Sequence, residues 1–157
     1  MTEKGVFASK IYADEVLTGE MFATEFYTKL NEYQMLMAVA CLCYERREKT
    51  EFFKDYPSKS ADDLKQLIWK DDYLSREKRF REIKSLTGLT HPLYYGRSLF
   101  TILENTNLLE GDVLRFFRLI ADRLRQIKSA TEDRSLKDRL SNCQKIVEDC
   151  IGQFDTV

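Results

Sequence analysis

The stretch LLEGDVLRFFRLIADRLRQI, Leu108 to Ile127, places Val113, Phe116, Phe117, Ile120, Leu124 and Ile127 at intervals of three or four residues. That period brings side chains to one face of an α-helix. Arg115, Arg118, Asp122 and Arg125 repeat at the same spacing on another face. The second stripe is either the solvated side of the helix or a surface for a negatively charged ligand. Its positive excess is small, because Asp122 stands one turn from both Arg118 and Arg125, close enough to pair with them.

Outward from this helix the pattern stays helical. Only six glycines and two prolines punctuate the chain, and alternating apolar residues are confined to GVFASKIY, Gly5 to Tyr12, which reads as a short extended N-terminal segment. The expectation is an all-α chain, a helical bundle of about five to seven helices. A first helix is expected from Asp14 to Leu30, and Asn31 with Gln34 opens a second as a capping-box variant. That second helix carries MLMAVACLCY, Met35 to Tyr44, whose ten residues suit a core helix and fall short of the roughly 20 that span a bilayer. Pro57 marks a loop. Ser60 with Asp63 caps a third, most polar helix running toward Gly88, with an irregularity at Asp71 and Asp72. Pro92 separates it from a shorter helix over Tyr94 to Glu104, Asn107 with Glu110 caps the long helix, and a last helix runs from Glu132 or Ser135 to Gly152.

With 157 residues and 43% hydrophobic content, the chain suits a single domain over residues 1–157. Against 26 acidic side chains stand 25 basic ones, a net charge of -1, so any contact with nucleic acid is local rather than driven by a global field. Cys41 and Cys43, and Cys143 and Cys150, have no metal-site spacing and read as reduced, mostly buried thiols. Glycines at 5, 19, 88, 96, 111 and 152 never form the phosphate loop that nucleotide hydrolysis needs. His91, the sole histidine, precedes a proline and reads as a loop residue, not a catalyst. The adjacent pairs Asp62 and Asp63, and Asp71 and Asp72, point in different directions and read as solvated. So does the basic run SREKRFREIK, Ser75 to Lys84. The opening MTEKGVFASK has no signal-peptide or transit-peptide character, and a cytoplasmic location without membrane contact is the expectation.

Two segments together resemble a known family. KGVFASKIYADEVLTGEMFATEFYTKLNEYQMLMAVACLCY, residues 4–44, is similar to the opening of the DSHCT domain, the C-terminal helical bundle of exosome-associated, superkiller-type and HelY-like RNA helicases. The shared pattern is a K-G entry, an acidic D-E pair beginning a helix, a glutamate one turn on, and a buried second helix. YYGRSLFTILENTNLLEGDVLRFFRLIADRLRQI resembles the family's later signature, in which E-G introduces a long helix with R-x-x-R and then R-Q along it. A departure is Leu119, where family members often have a second consecutive arginine. The region from Glu45 to Leu86 matches in helical character more than in residues.

The resemblance implies an accessory bundle packed on RecA-like helicase domains, in cis or in trans, that guides single-stranded RNA, or DNA, leaving the motor. It implies no catalysis and no cofactor for this chain, with ATP and Mg held by the parent motor. Arg115, Arg118 and Glu20 are the residues it carries over as strand contacts, the arginines through planar donors to phosphate or a base face. Protein partners from the RNA-decay machinery fit the same picture. The rival readings are a helical protein-interaction module without nucleic acid, and the corresponding bundle of a DNA helicase.

Overall fold

A computed structural model describes residues 15–45 and 48–155. The expected extended segment at Gly5 to Tyr12 and the expected helix start at Asp14 lie outside those residues. Among the described residues the regular structure is helical, in seven α-helices: α1 Glu15–Phe22, α2 Glu32–Cys43, α3 Lys59–Lys70, α4 Ile83–Tyr94, α5 Leu99–Leu103, α6 Glu110–Ala130 and α7 Arg134–Asp155. The chain is an all-α bundle. None of these helices is long and apolar enough to cross a membrane.

Helix α2 is the centre of the bundle. Its residues from Tyr33 to Leu42 are all buried, as expected of a helix that is apolar on every side, and α3, α4, α6 and α7 pack around it. The expected cap is present in full. Asn31 Oδ1 accepts from the Gln34 amide at 2.8 Å and Gln34 Oε1 accepts from the Asn31 amide at 2.8 Å. The last two helices form a hairpin over three residues, and their mutual contact is the most extensive in the molecule. Val113, Phe116, Phe117, Ile120, Leu124 and Ile127 are buried together, so the face assigned from their spacing is the inner one.

Several expectations are corrected, the first three by local hydrogen bonds. The helix expected over Asp14 to Leu30 is split, because the Thr24 hydroxyl donates to the Glu20 carbonyl and accepts from the Phe26 amide. That starts a separate 3-10 segment, Glu25–Lys29. The third helix is capped by Ser58, whose Oγ accepts from the Ala61 amide at 3.1 Å, not by Ser60 or Asp63. It stops at the expected irregularity, where Asp71 Oδ1 accepts from the Tyr73 and Leu74 amides at 3.0 and 2.9 Å. Two short 3-10 segments then lead into α4.

Pro92 does not separate two helices; it lies inside α4. A proline there leaves the carbonyl four residues earlier without its amide donor. That carbonyl belongs to Gly88, and Asn105 Nδ2 donates to it at 2.8 Å. A side chain from elsewhere replaces the missing bond, and the helix continues to Tyr94. It ends at Gly96, whose φ of 69° takes the left-handed conformation that suits glycine. The Gly96 amide donates to the Leu93 carbonyl and the Arg97 amide to the Pro92 carbonyl, which closes the helix end with a paired-bond cap.

Asn107 is not a helix cap either. Leu109 is the cap residue of α6, and Asn107 holds a distant segment instead: Oδ1 accepts from the Glu51 amide at 2.8 Å and Nδ2 donates to the Lys49 carbonyl at 2.7 Å. Residues 48–58 thereby form a strap. Its Phe52 makes an isolated antiparallel bridge with Thr106. A Cβ on Gly88 would meet the strap carbonyl of Lys54 at 2.5 Å, so only glycine lets strap and helix approach this closely.

Candidate nucleic-acid interface

Arg115 and Arg118 leave the outer face of α6 three residues apart and are both exposed. The acidic residue between the arginines of this stripe is already engaged: Asp122 pairs with Arg125 at 3.4 Å and accepts from Gln126 Nε2 at 3.0 Å. Among the described residues, Arg115 and Arg118 have no hydrogen bond or ion pair. Two guanidinium groups thus stand side by side with their donors turned to solvent. Leu119, at the position where the resemblance led to expect a further arginine, is 45% exposed and puts an apolar side chain beside them.

Arg115 also lines a cleft of about 180 Å³. Its apolar lining comes from three parts of the chain: Tyr44 after α2, Leu89 of α4, and Leu108, Phe116 and Leu119 at and along α6. Tyr44 meets the Phe116 ring edge-on at 5.6 Å, which fixes both walls. Cys43 Sγ, also in the lining, reaches the Leu119 carbonyl at 3.6 Å. Arg115 shares the lining with two carboxylates, Glu45 and Asp112, so the cleft offers apolar surface with charges of both signs.

Arg123 departs from the stripe that its neighbours form. It is buried, and its Nη1 donates to the Thr18 hydroxyl at 3.2 Å, tying α6 to α1. Its partner lies 105 positions earlier in the chain, beyond the reach of any local pattern. Glu20 sits two residues after Thr18 and is half-buried. From Arg123 back to Arg118 is five residues, roughly 8 Å along the axis, and back to Arg115 roughly 12 Å. The structure brings Arg115 and Arg118 together on one face of α6; Glu20 stands on α1, the helix that the Thr18–Arg123 bond ties to α6.

The histidine lies in α4 rather than in a loop. His91 Nδ1 is 2.9 Å from the Tyr33 hydroxyl, Tyr56 stacks on the imidazole at 4.8 Å and 6°, and Tyr95 leans on it at 4.7 Å. Burial and the positive charge of Arg97 hold its pKa below the ordinary histidine value, which favours the neutral ring, and Nδ1 shares a hydrogen bond with the tyrosine hydroxyl. Sequence reasoning missed this cluster, since its members are up to 62 positions apart between Tyr33 and Tyr95.

Cys41, Cys143 and Cys150 are buried thiols and Cys43 is half-buried. Burial pushes Cys41 upward, Cys143 to about 12 and Cys150 to about 11, which keeps these three protonated and unreactive. Among the described residues, no group of three or more His, Cys, Asp or Glu side chains gathers as metal ligands.

A buried central helix, a long hairpin and two exposed arginines on its outer face make up an all-α helical bundle. The chain belongs to the DSHCT (NUC185) domain family, whose profile matches residues 1–151. That domain is found at the C-terminus of superkiller-type helicases. No curated protein matches the chain.

Proposed function

We propose that the bundle is the non-catalytic accessory part of an ATP-dependent RNA helicase, guiding single-stranded RNA out of the motor and bracing the RecA-like domains. The observation that carries the reading is the pair of unpaired, exposed guanidinium groups at Arg115 and Arg118 on one face of α6. Planar donors of this kind bind phosphate and stack on bases without regard to sequence, which suits a conduit. The adjoining cleft and Leu119 offer apolar surface to a protein neighbour, and a motor domain is the neighbour that family membership supplies. ATP and Mg belong to that motor. Glu20 orients a sugar hydroxyl or a neighbouring arginine, and the bundle works in the cytoplasm alongside RNA-decay proteins.

The test is binding of a fluorescein-labelled oligouridine to the full chain, followed by anisotropy at several salt concentrations. Each phosphate contact contributes about 0.7 to the slope of log affinity against log salt for single strands. Changing Arg115 and Arg118 together to alanine should lower that slope by about 1.4 and weaken binding, with an unchanged thermal melt. Equal slope and affinity in the double variant would overturn the reading. Oligodeoxythymidine in parallel separates an RNA helicase bundle from a DNA one.

A further inference from the structure

The motif YYGRS, Tyr94 to Ser98, takes no part in the α6 interface, yet it builds a surface of its own. Tyr95 is 59% exposed. Beneath it lies a pile of rings: His91 at 4.7 Å, Tyr94 edge-on at 5.2 Å and Tyr33 at 6.2 Å, with Tyr56 parallel to the imidazole on which Tyr95 rests. The cap at Gly96 fixes the backbone on which Tyr95 and Arg97 stand, so the exposed ring is held in place before any ligand arrives. Ordering it on binding then costs little conformational entropy.

Two cations stand around the pile. Lys54 Nζ stands 4.9 Å from the centre of the Tyr56 ring. The Arg97 side chain is exposed, has no ion pair among the described residues, and lies close enough to depress His91. The acids nearby are otherwise engaged: Asp55 pairs with Lys84 at 3.8 Å, and Glu32, whose charge reaches Tyr94, accepts from Asn142 Nδ2. Fixed aromatic faces interleaved with unpaired cations match a ligand that alternates flat rings with negative charges.

We propose that Tyr95, with Arg97 and Lys54, forms a second single-strand site, in which one nucleobase stacks on the Tyr95 ring and the flanking phosphates meet Arg97 and Lys54. The proposal rests on the single-strand reading above but not on its residues. Leu89, which lines the α6 cleft, and Tyr95 are six residues apart; at about 100° per residue they leave the axis of α4 about 120° apart, on different sides of the helix. The two sites therefore lose their ligands independently.

The experiment uses the full chain and an oligouridine carrying 5-iodouridine, irradiated and digested, with the crosslinked peptide identified by mass spectrometry. A crosslink at Tyr95 is expected, and it should persist when Arg115 and Arg118 are both alanine. Changing Tyr95 to Ala should weaken binding of the oligonucleotide about tenfold, while Tyr95→Phe keeps the stacking face and the affinity. Arg97→Glu leaves every ring in place and should weaken binding as well. Crosslinks confined to α6 peptides, with full affinity in the Tyr95→Ala and Arg97→Glu variants, would overturn the second site and leave the α6 interface standing. Absence of any salt-dependent strand binding by the unaltered chain would overturn both, and binding of a peptide but not of the strand at Tyr95 would assign the surface to a protein.

Discussion

Phe117 and Arg118 are neighbours in the chain and opposites in energy. Phe117 is fully buried, with the Phe116 ring 6.0 Å away, and replacing it by alanine removes packed atoms and leaves a cavity that the surrounding helices only partly close. The expected loss is about 3 kcal/mol in urea unfolding. Arg118→Ala on the outer face should shift stability by less than about 0.5 kcal/mol. A loss below that figure for Phe117→Ala would show that the inner face is loosely packed. This contrast was legible in the sequence, since apolar spacing alone assigned both residues. Arg123 and His91 were not. A buried arginine and a histidine among tyrosines take their surroundings from α1, α2 and the strap, which no local pattern reveals.

Between elements, the 3-10 segment after α1 is tied to α7 at its cap, where Arg139 Nη1 donates to the Leu30 carbonyl at 2.7 Å, and through Tyr27. The Tyr27 hydroxyl donates to Asp133 Oδ2 at 2.6 Å, while Asp133 Oδ1 caps α7 by accepting from the Leu136 amide at 3.2 Å. The bond to Asp133 raises Tyr27 to about 12, and the bond from Tyr27, followed by the backbone amide, lowers Asp133 below the usual carboxylate range. Asp133's contribution is present above its ordinary value near pH 4 and is lost as pH falls through the depressed native value. Tyr27's contribution is present below about pH 10 and is lost as pH rises through about 12. Tyr27→Phe should therefore destabilise the chain by about 1 kcal/mol across the middle of the pH range. The difference from the unaltered chain should shrink at both extremes; thermal melts of the two proteins across pH check it, and a difference that does not vary with pH would remove the bond from the account. Element boundaries were less legible than element identities for the same reason. The capping box of Asn31 acts within four residues and was readable, whereas Asn107 looks like a cap in sequence and spends both of its amide groups on Glu51 and Lys49.

Across the whole molecule, the strap of residues 48–58 is what joins the α4 region to the approach of α6, and Gly88 is where it touches α4 most closely. Gly88→Ala would drive a methyl group into the Lys54 carbonyl, a backbone atom that cannot rotate away. The strap must shift or the helix must bend, at a cost of about 2 kcal/mol. Denaturant unfolding should show a lower midpoint with an unchanged slope; a midpoint like that of the unaltered chain would mean that the strap yields freely. None of this was visible beforehand, because a glycine inside a helical pattern announces only that something stands close by. Gly88 is also the residue whose carbonyl Pro92 deprives of a donor and Asn105 supplies with one. The proline and the asparagine are thus two halves of one inheritance. In a descendant that exchanges Pro92 for an ordinary residue, the helix recovers its own bond and Asn105 is left with its bond to the Tyr56 hydroxyl, whereas a descendant that loses Asn105 first passes through a bundle with a buried, unanswered carbonyl. The order of changes open to this lineage runs in one direction, proline before asparagine.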